Sequence, residues 1–173
     1  MERMPRPPQD AVDAIVAEWS NVRADLDVRP LEVFSRIKRI ARQLDAFRKH
    51  EFAAAGLDLW EFDVLSALRR AGEPYALTPK QLLMSNLVSS GTMTNRIDRL
   101  AGRGLVIRED DPADRRSVLV RITPEGLERV DDAIERLIAI EHELLDGVPD
   151  ADTEALTRSL RELALRMTDD DKD

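Results

Sequence analysis

Ser89-Ser-Gly-Thr-Met-Thr-Asn-Arg-Ile-Asp-Arg-Leu-Ala-Gly-Arg-Gly-Leu-Val-Ile-Arg-Glu-Asp-Asp-Pro-Ala-Asp-Arg-Arg-Ser-Val-Leu-Val-Arg-Ile-Thr123 holds three local signals in succession. The first is a helix beginning near Ser89 or Ser90, on which Met93, Ile97 and Leu100 fall on one side and face a core. Gly91, Thr92, Asn95, Asp98 and Arg99 fall on the other side, with Thr94 towards one edge. Glycine at 104 stops that helix. The segments 105–109 and 117–122 then read as two β-branched and aliphatic strands around a charged turn, Asp-Asp-Pro-Ala-Asp-Arg-Arg, so the paired arginines sit at the tip of a hairpin.

Around this stretch the chain is helical. Val12, Ile15, Val16 and Trp19 have the spacing of one helix face. After a break at residues 23–30, Leu31, Phe34, Ile37, Ile40, Ala41, Leu44 and Phe47 form a second stripe that Gly56 closes. Asp58 caps a third helix over residues 59–71, with Phe62, Val64, Leu65 and Leu68 inward. Thr78-Pro79 opens a short fourth helix to about Met84, and the turn at 86–90 joins it to the helix at Ser90. Two short helices joined this way have helix-turn-helix spacing. Thr123-Pro124-Glu125 opens a long helix, and a last one carries Leu156, Leu160, Leu163 and Met167. The fold expected is mainly α with a small β-hairpin wing, a winged helix-turn-helix flanked by N- and C-terminal dimerisation helices. Its divisions are a lead at 1–9, N-terminal helices at 10–54, a winged unit at 55–123, C-terminal helices at 124–168 and an acidic tail at 169–173.

Composition excludes several functions. The 173 residues include no cysteine, which rules out disulfides and thiolate metal sites, and only 4% aromatics, so the core is aliphatic. No apolar run is long enough to cross a bilayer, and the N-terminus lacks the apolar centre of a signal peptide, which points to the cytoplasm. His50 and His142 have no metal-ligand partner at suitable spacing. Ser89 and Ser90 have no nucleophile-elbow context and read as caps, and no phosphate loop or catalytic pair is present, so no enzyme and no cofactor are expected. A net charge of −8 argues against a polyanionic partner on first inspection. Between Val88 and Arg121, however, seven arginines face five acids, a local balance of +2.

The polar side of the Ser90 helix suits a major groove, where N-terminal residues of such a helix reach base edges. An ordinary capped surface helix fits the same pattern. The arginine tip favours DNA, because Arg115 and Arg116 on a projecting ribbon can enter a minor groove or clasp phosphates. Asp114 reads as their structural neighbour.

Taken together, Ser-Ser-Gly-Thr-Met-Thr-Asn-Arg-Ile-Asp-Arg-Leu, Gly-Leu-Val-Ile-Arg, Asp114-Arg115-Arg116 and Leu-Val-Arg-Ile-Thr-Pro-Glu-Gly resemble the multiple antibiotic resistance regulator (MarR) family of winged-helix transcription factors. The likeness runs from about Leu31 to Met167. It implies a homodimer built from the terminal helices, recognition helices in successive major grooves of a pseudo-palindromic double-stranded operator, wings in the flanking minor grooves, and repression relieved by a small ligand. The DNA-contacting set is then Thr78, Ser89, Ser90, Gly91, Thr92, Thr94, Asn95, Arg99, Arg115 and Arg116.

Trp60-Glu-Phe-Asp-Val-Leu-Ser-Ala-Leu-Arg-Arg-Ala-Gly, with the extra N-terminal helix bearing Trp19, resembles the urate-responsive branch of that family. The resemblance implies an anionic effector, urate or a related acid, held by Trp19, Asp63, Arg96 and Arg108. Physical reading agrees in outline: Asp63 lies beside an apolar arc and needs a cation, while Arg96 and Arg108 are placed to turn inward and to grip a planar anion. A structural Asp–Arg salt bridge without a ligand fits the same residues. A regulator sensing aromatic acids through a different pocket, or a helical interaction protein without DNA binding, are the other readings that the sequence leaves open.

Overall fold

The computed structural model describes residues 9–86, 89–112 and 117–169. They fall into two compact units, Met1–His50 and Glu51–Asp173.

In the first unit, α1 (Ala11–Val22) starts at a reciprocal cap. Asp10 accepts from the backbone N–H groups of Val12 and Asp13, at 2.7 and 3.2 Å, and the Asp13 carboxylate accepts from Asp10 N–H at 2.7 Å. Arg36, on α2 (Arg29–Ala54), reaches both acids, with 2.8 Å contacts to Asp10 and to Asp13. Val12 is buried, but Val33, Phe34, Ile37, Ile40 and Phe47 of α2 remain exposed. The apolar stripe read from the sequence is therefore present and largely uncovered.

The second unit holds the main core. Here α3 (Leu59–Arg70) buries Phe62, Val64, Leu65 and Leu68, and Phe62 stacks on Phe52 with centroids 4.0 Å apart. A two-residue strand, β1 (Ala76–Leu77), leads into α4 (Pro79–Asn86), and α5 (Ser90–Gly102) follows. The hairpin pairs β2 (Val106–Asp110) antiparallel with β3 (Val118–Ile122), in register from Val106 opposite Ile122 to Asp110 opposite Val118. On the other edge of β3, β1 adds Ala76 opposite Arg121 and Leu77 opposite Val120, giving the order β1-β3-β2. Two residues are too few to show alternation, which is why no strand was expected there.

Thr123 then caps α6 (Pro124–Leu145), its Oγ accepting from Gly126 N–H at 3.1 Å and donating to the Gly104 carbonyl at 2.8 Å. Gly126 is required by close approach: a Cβ there would lie 2.3 Å from the Leu105 carbonyl oxygen and 2.7 Å from Ile122 Cγ1. Up to its middle turns α6 buries Val130, Ala133 and Leu137, whereas Ile138, Leu144 and Leu145 are exposed. Finally α7 (Asp150–Asp169) leaves Leu156, Leu160, Leu165 and Met167 exposed.

Candidate nucleic-acid interface

The helix α5 is amphipathic in the way its sequence dictates. Met93, Ile97 and Leu100 are fully buried, and Ser89, Ser90, Gly91, Thr92, Thr94, Asn95, Asp98 and Arg99 are exposed. Its start is capped by Ser89, whose Oγ accepts from Thr92 N–H at 3.3 Å and shares a 2.8 Å hydrogen bond with Thr92 Oγ1. Thr94 donates to the Ser90 carbonyl at 3.1 Å. Thr78 caps α4 reciprocally with Gln81: the Thr78 N–H donates to Gln81 Oε1 at 2.8 Å, and Thr78 Oγ1 accepts from Gln81 N–H at 3.3 Å. The hydroxyls at 78, 89, 92 and 94 thus shape the two helix starts while remaining on or near the surface.

The basic side chains of this stretch divide into two kinds. Arg103 pairs with Glu61 and also donates to the Gly56 carbonyl at 2.7 Å, which ties the end of α5 to the corner before α3. Glu61 is 1% exposed and accepts in addition from Asp58 N–H at 2.9 Å. Arg108 of β2 pairs with Asp98 of α5 at 2.8 Å. Arg121 of β3 grips Glu109 across the hairpin at 2.5 Å, which raises its pKa, and donates to the Pro74 carbonyl at 3.1 Å. Arg96 and Arg99 instead lie over the Trp60 ring, their guanidinium carbons 5.7 and 4.7 Å from its centroid. With Gly91, Thr92 and Asn95 these three side chains line an open cup of about 480 Å³ on the polar side of α5.

Several sequence expectations change here. Asp63 is exposed rather than tucked beside the apolar arc, so the burial argument for a cationic partner does not apply to it. The buried acid of α3 is Glu61, whose place three residues after Asp58 is the capping-box spacing and was the signal available in the sequence. Arg108 was expected to turn to Asp63 and turns to Asp98. Arg96 was assigned away from the DNA-facing group and shares a cup with four of its members, Gly91, Thr92, Asn95 and Arg99. Trp19 is 48% exposed and lines a shallow cavity of about 500 Å³ with Glu18, Val22 and Arg23 in the first unit. Arg115 and Arg116, like Asp114, lie outside the described residues. Sequence reasoning gave no separate role to Trp60, whose two arginine contacts come from another helix and leave no local periodic signal.

Among the described residues no group of acids and histidines could hold a metal ion, and no helix is long and apolar enough to cross a membrane.

Comparison with known proteins places this geometry. Residues 55–117, which take in α3 to β2, match the MarR family. The HTH-type transcriptional regulator PecS of Dickeya dadantii is 36% identical over 134 residues, covering 78% of this chain and 81% of the relative. The HTH-type transcriptional repressor YetL of Bacillus subtilis is 25% identical over 153 residues, covering 88% and 91%. Among solved structures, BpsR of Bordetella bronchiseptica, described for regulation of its DNA binding by 6-hydroxynicotinic acid, is 28% identical with a TM-score of 0.63. That alignment covers 76% of this chain and 92% of BpsR.

Proposed function

This chain belongs to the MarR family of DNA-binding transcription regulators, and on that premise we propose that it is a homodimeric repressor of a pseudo-palindromic operator, released by a small anionic effector. One observation carries the DNA-reading surface: α5 presents Ser90, Gly91, Thr92, Thr94, Asn95 and Arg99 outward while Met93, Ile97 and Leu100 anchor it from below. A helix so held can enter a major groove with its donors and acceptors free of bulky apolar groups. Thr78 and Ser89 stand at the two helix starts, where backbone N–H groups favour phosphate. Arg115 and Arg116, which follow β2 in the sequence and lie outside the described residues, are proposed as groove or phosphate contacts. The exposed leucines and isoleucines of α2, α6 and α7 support a second copy of this chain as their cover.

The effector is a planar carboxylate or purine anion, the class to which BpsR's ligand belongs, with urate as a candidate. Within the second unit, Asp63, Arg96 and Arg108 are the residues proposed for it. The Arg108–Asp98 pair supports the switch, because it links the hairpin to α5. An anion that takes Arg108 from Asp98 releases that link and shifts the population of α5 positions, provided it binds the two states unequally.

Retardation of the chain's own upstream DNA, falling as salt rises, tests the reading. Absence of any shift at low salt overturns it. Thermal-shift titration with urate and 6-hydroxynicotinate tests the effector: stabilisation by either should be lost in Arg108→Gln, and equal responses from both proteins remove Arg108 from the site.

A further inference from the structure

Five described arginines lie between Ser89 and Thr123, and they are partnered in two ways. Arg103, Arg108 and Arg121 each meet a carboxylate, on Glu61, Asp98 and Glu109 respectively. Among the described residues Arg96 and Arg99 form no ion pair; both rest on the face of Trp60. The distinction is chemical. A carboxylate neutralises a guanidinium and occupies its N–H fork, whereas an aromatic face holds the cation through the ring quadrupole and leaves both the charge and the in-plane donors available.

The ring is itself well supported. Trp60 is half-buried in the first turn of α3, beside the buried Glu61 and Phe62, and its indole N–H donates to Asp58 Oδ2 at 3.3 Å. Arg96 is half-buried and Arg99 exposed, and the cup that they share with Trp60 also includes Thr92 and Asn95 of the polar face. Two rotamer-rich cations are thereby held at the DNA-reading side before any ligand arrives, so less side-chain freedom is lost on binding.

We propose that Trp60 is a positioning residue for DNA recognition, a π platform that presents Arg96 and Arg99 to the nucleic acid while leaving their charge and N–H donors free. The inference rests on the DNA-binding reading above. It also moves Arg96 from effector contact to the DNA-facing group.

The test is fluorescence-anisotropy titration of the full-length protein with its own upstream duplex, at several salt concentrations. Trp60→Leu should weaken binding about fivefold to thirtyfold, with Trp60→Phe in between. In a protein already carrying Arg96→Ala and Arg99→Ala, Trp60→Leu should add little further loss. Fluorinated tryptophans placed at position 60 alone keep the shape and drain the ring of electron density. Affinity should therefore fall stepwise with the number of fluorines, an arm that stands even where Trp60→Leu does not fold. Affinity indifferent to fluorination, or a Trp60→Leu loss of the same size with and without the two arginines, overturns the proposal while leaving DNA binding intact. Failure of the wild-type protein to bind the duplex overturns the DNA-binding reading and this proposal with it.

Discussion

Glu61 is the only charged side chain among the described residues that the fold buries completely, and its position explains how the end of α5 is held. Its carboxylate takes the Asp58 N–H and the Arg103 guanidinium, so removal of Arg103 leaves a buried charge with one donor. Arg103→Ala should cost about 2 kcal/mol in urea denaturation, below the ~3–5 kcal/mol of a fully buried pair because Arg103 is 38% exposed. Glu61→Gln keeps an acceptor for Asp58 and leaves Arg103 solvated, and should cost about 1 kcal/mol. A second residue-scale prediction concerns acid. Hydrogen bonds from Arg29 hold the Asp27 carboxyl at about 2, against 3.8 for a free aspartate. A depressed carboxyl contributes stability above its unfolded pKa, and that contribution fades as pH falls from 3.8 towards 2. Carbon-detected NMR titration should show Asp27 near its low value in the wild type and returning towards 3.8 in Arg29→Gln. An unshifted Asp27 would show that the pair does not persist in solution.

Among the elements, the junction of α5, the hairpin and α6 is the most constrained. Thr123 joins the Gly104 carbonyl to the α6 cap, and Gly126 lets α6 start against the Leu105 carbonyl at a distance that admits no side chain. Gly126→Ala should destabilise by about 1–3 kcal/mol despite alanine's better helix propensity, because the obstructing atom is backbone and cannot rotate away. A melting temperature equal to wild type would refute that account. On α5, Met93→Ala should cost about 3 kcal/mol, since the side chain is fully buried in the core beneath the polar face. Circular dichroism melts would measure it, and its DNA affinity should fall with the fraction of α5 that is properly seated. Asn95→Ala changes an exposed group on the same helix and should leave the melt within about 0.5 kcal/mol of wild type while weakening DNA binding.

For the molecule as a whole, net charge and local charge oppose one another. At −8 overall the chain repels a polyanion at long range, so its DNA affinity must come from the local basic surface and should fall steeply with salt. Arg99→Ala should reduce the slope of log K against log salt by about one per protomer in contact. The apolar side chains left exposed on α7, Leu156 and Leu160 among them, set the expectation for assembly. In the proposed homodimer, Leu156→Glu with Leu160→Glu should shift sedimentation towards the monomer and weaken operator binding together; an unchanged sedimentation coefficient would take α7 out of the proposed contact.

Secondary structure in this chain is written in local patterns. The amphipathic period of α5, the Thr-Pro caps of α4 and α6, and the aliphatic runs of the hairpin each depend on residues a few places apart, and together they determined a winged helix-turn-helix with surplus apolar helix on either side. Which acid each arginine would choose was not written there. Asp63, Asp98 and Glu61 are equally good partners on paper, and only the crossing of α3, α5 and the hairpin decided that Arg108 meets Asp98, that Arg103 meets Glu61, and that Arg96 and Arg99 settle on Trp60. The physical reason is range. Periodicity is a short-range property of the backbone, whereas an ion pair or a cation–π contact between separate elements is set by side-chain reach across a packed interface, which exists only after the chain has folded.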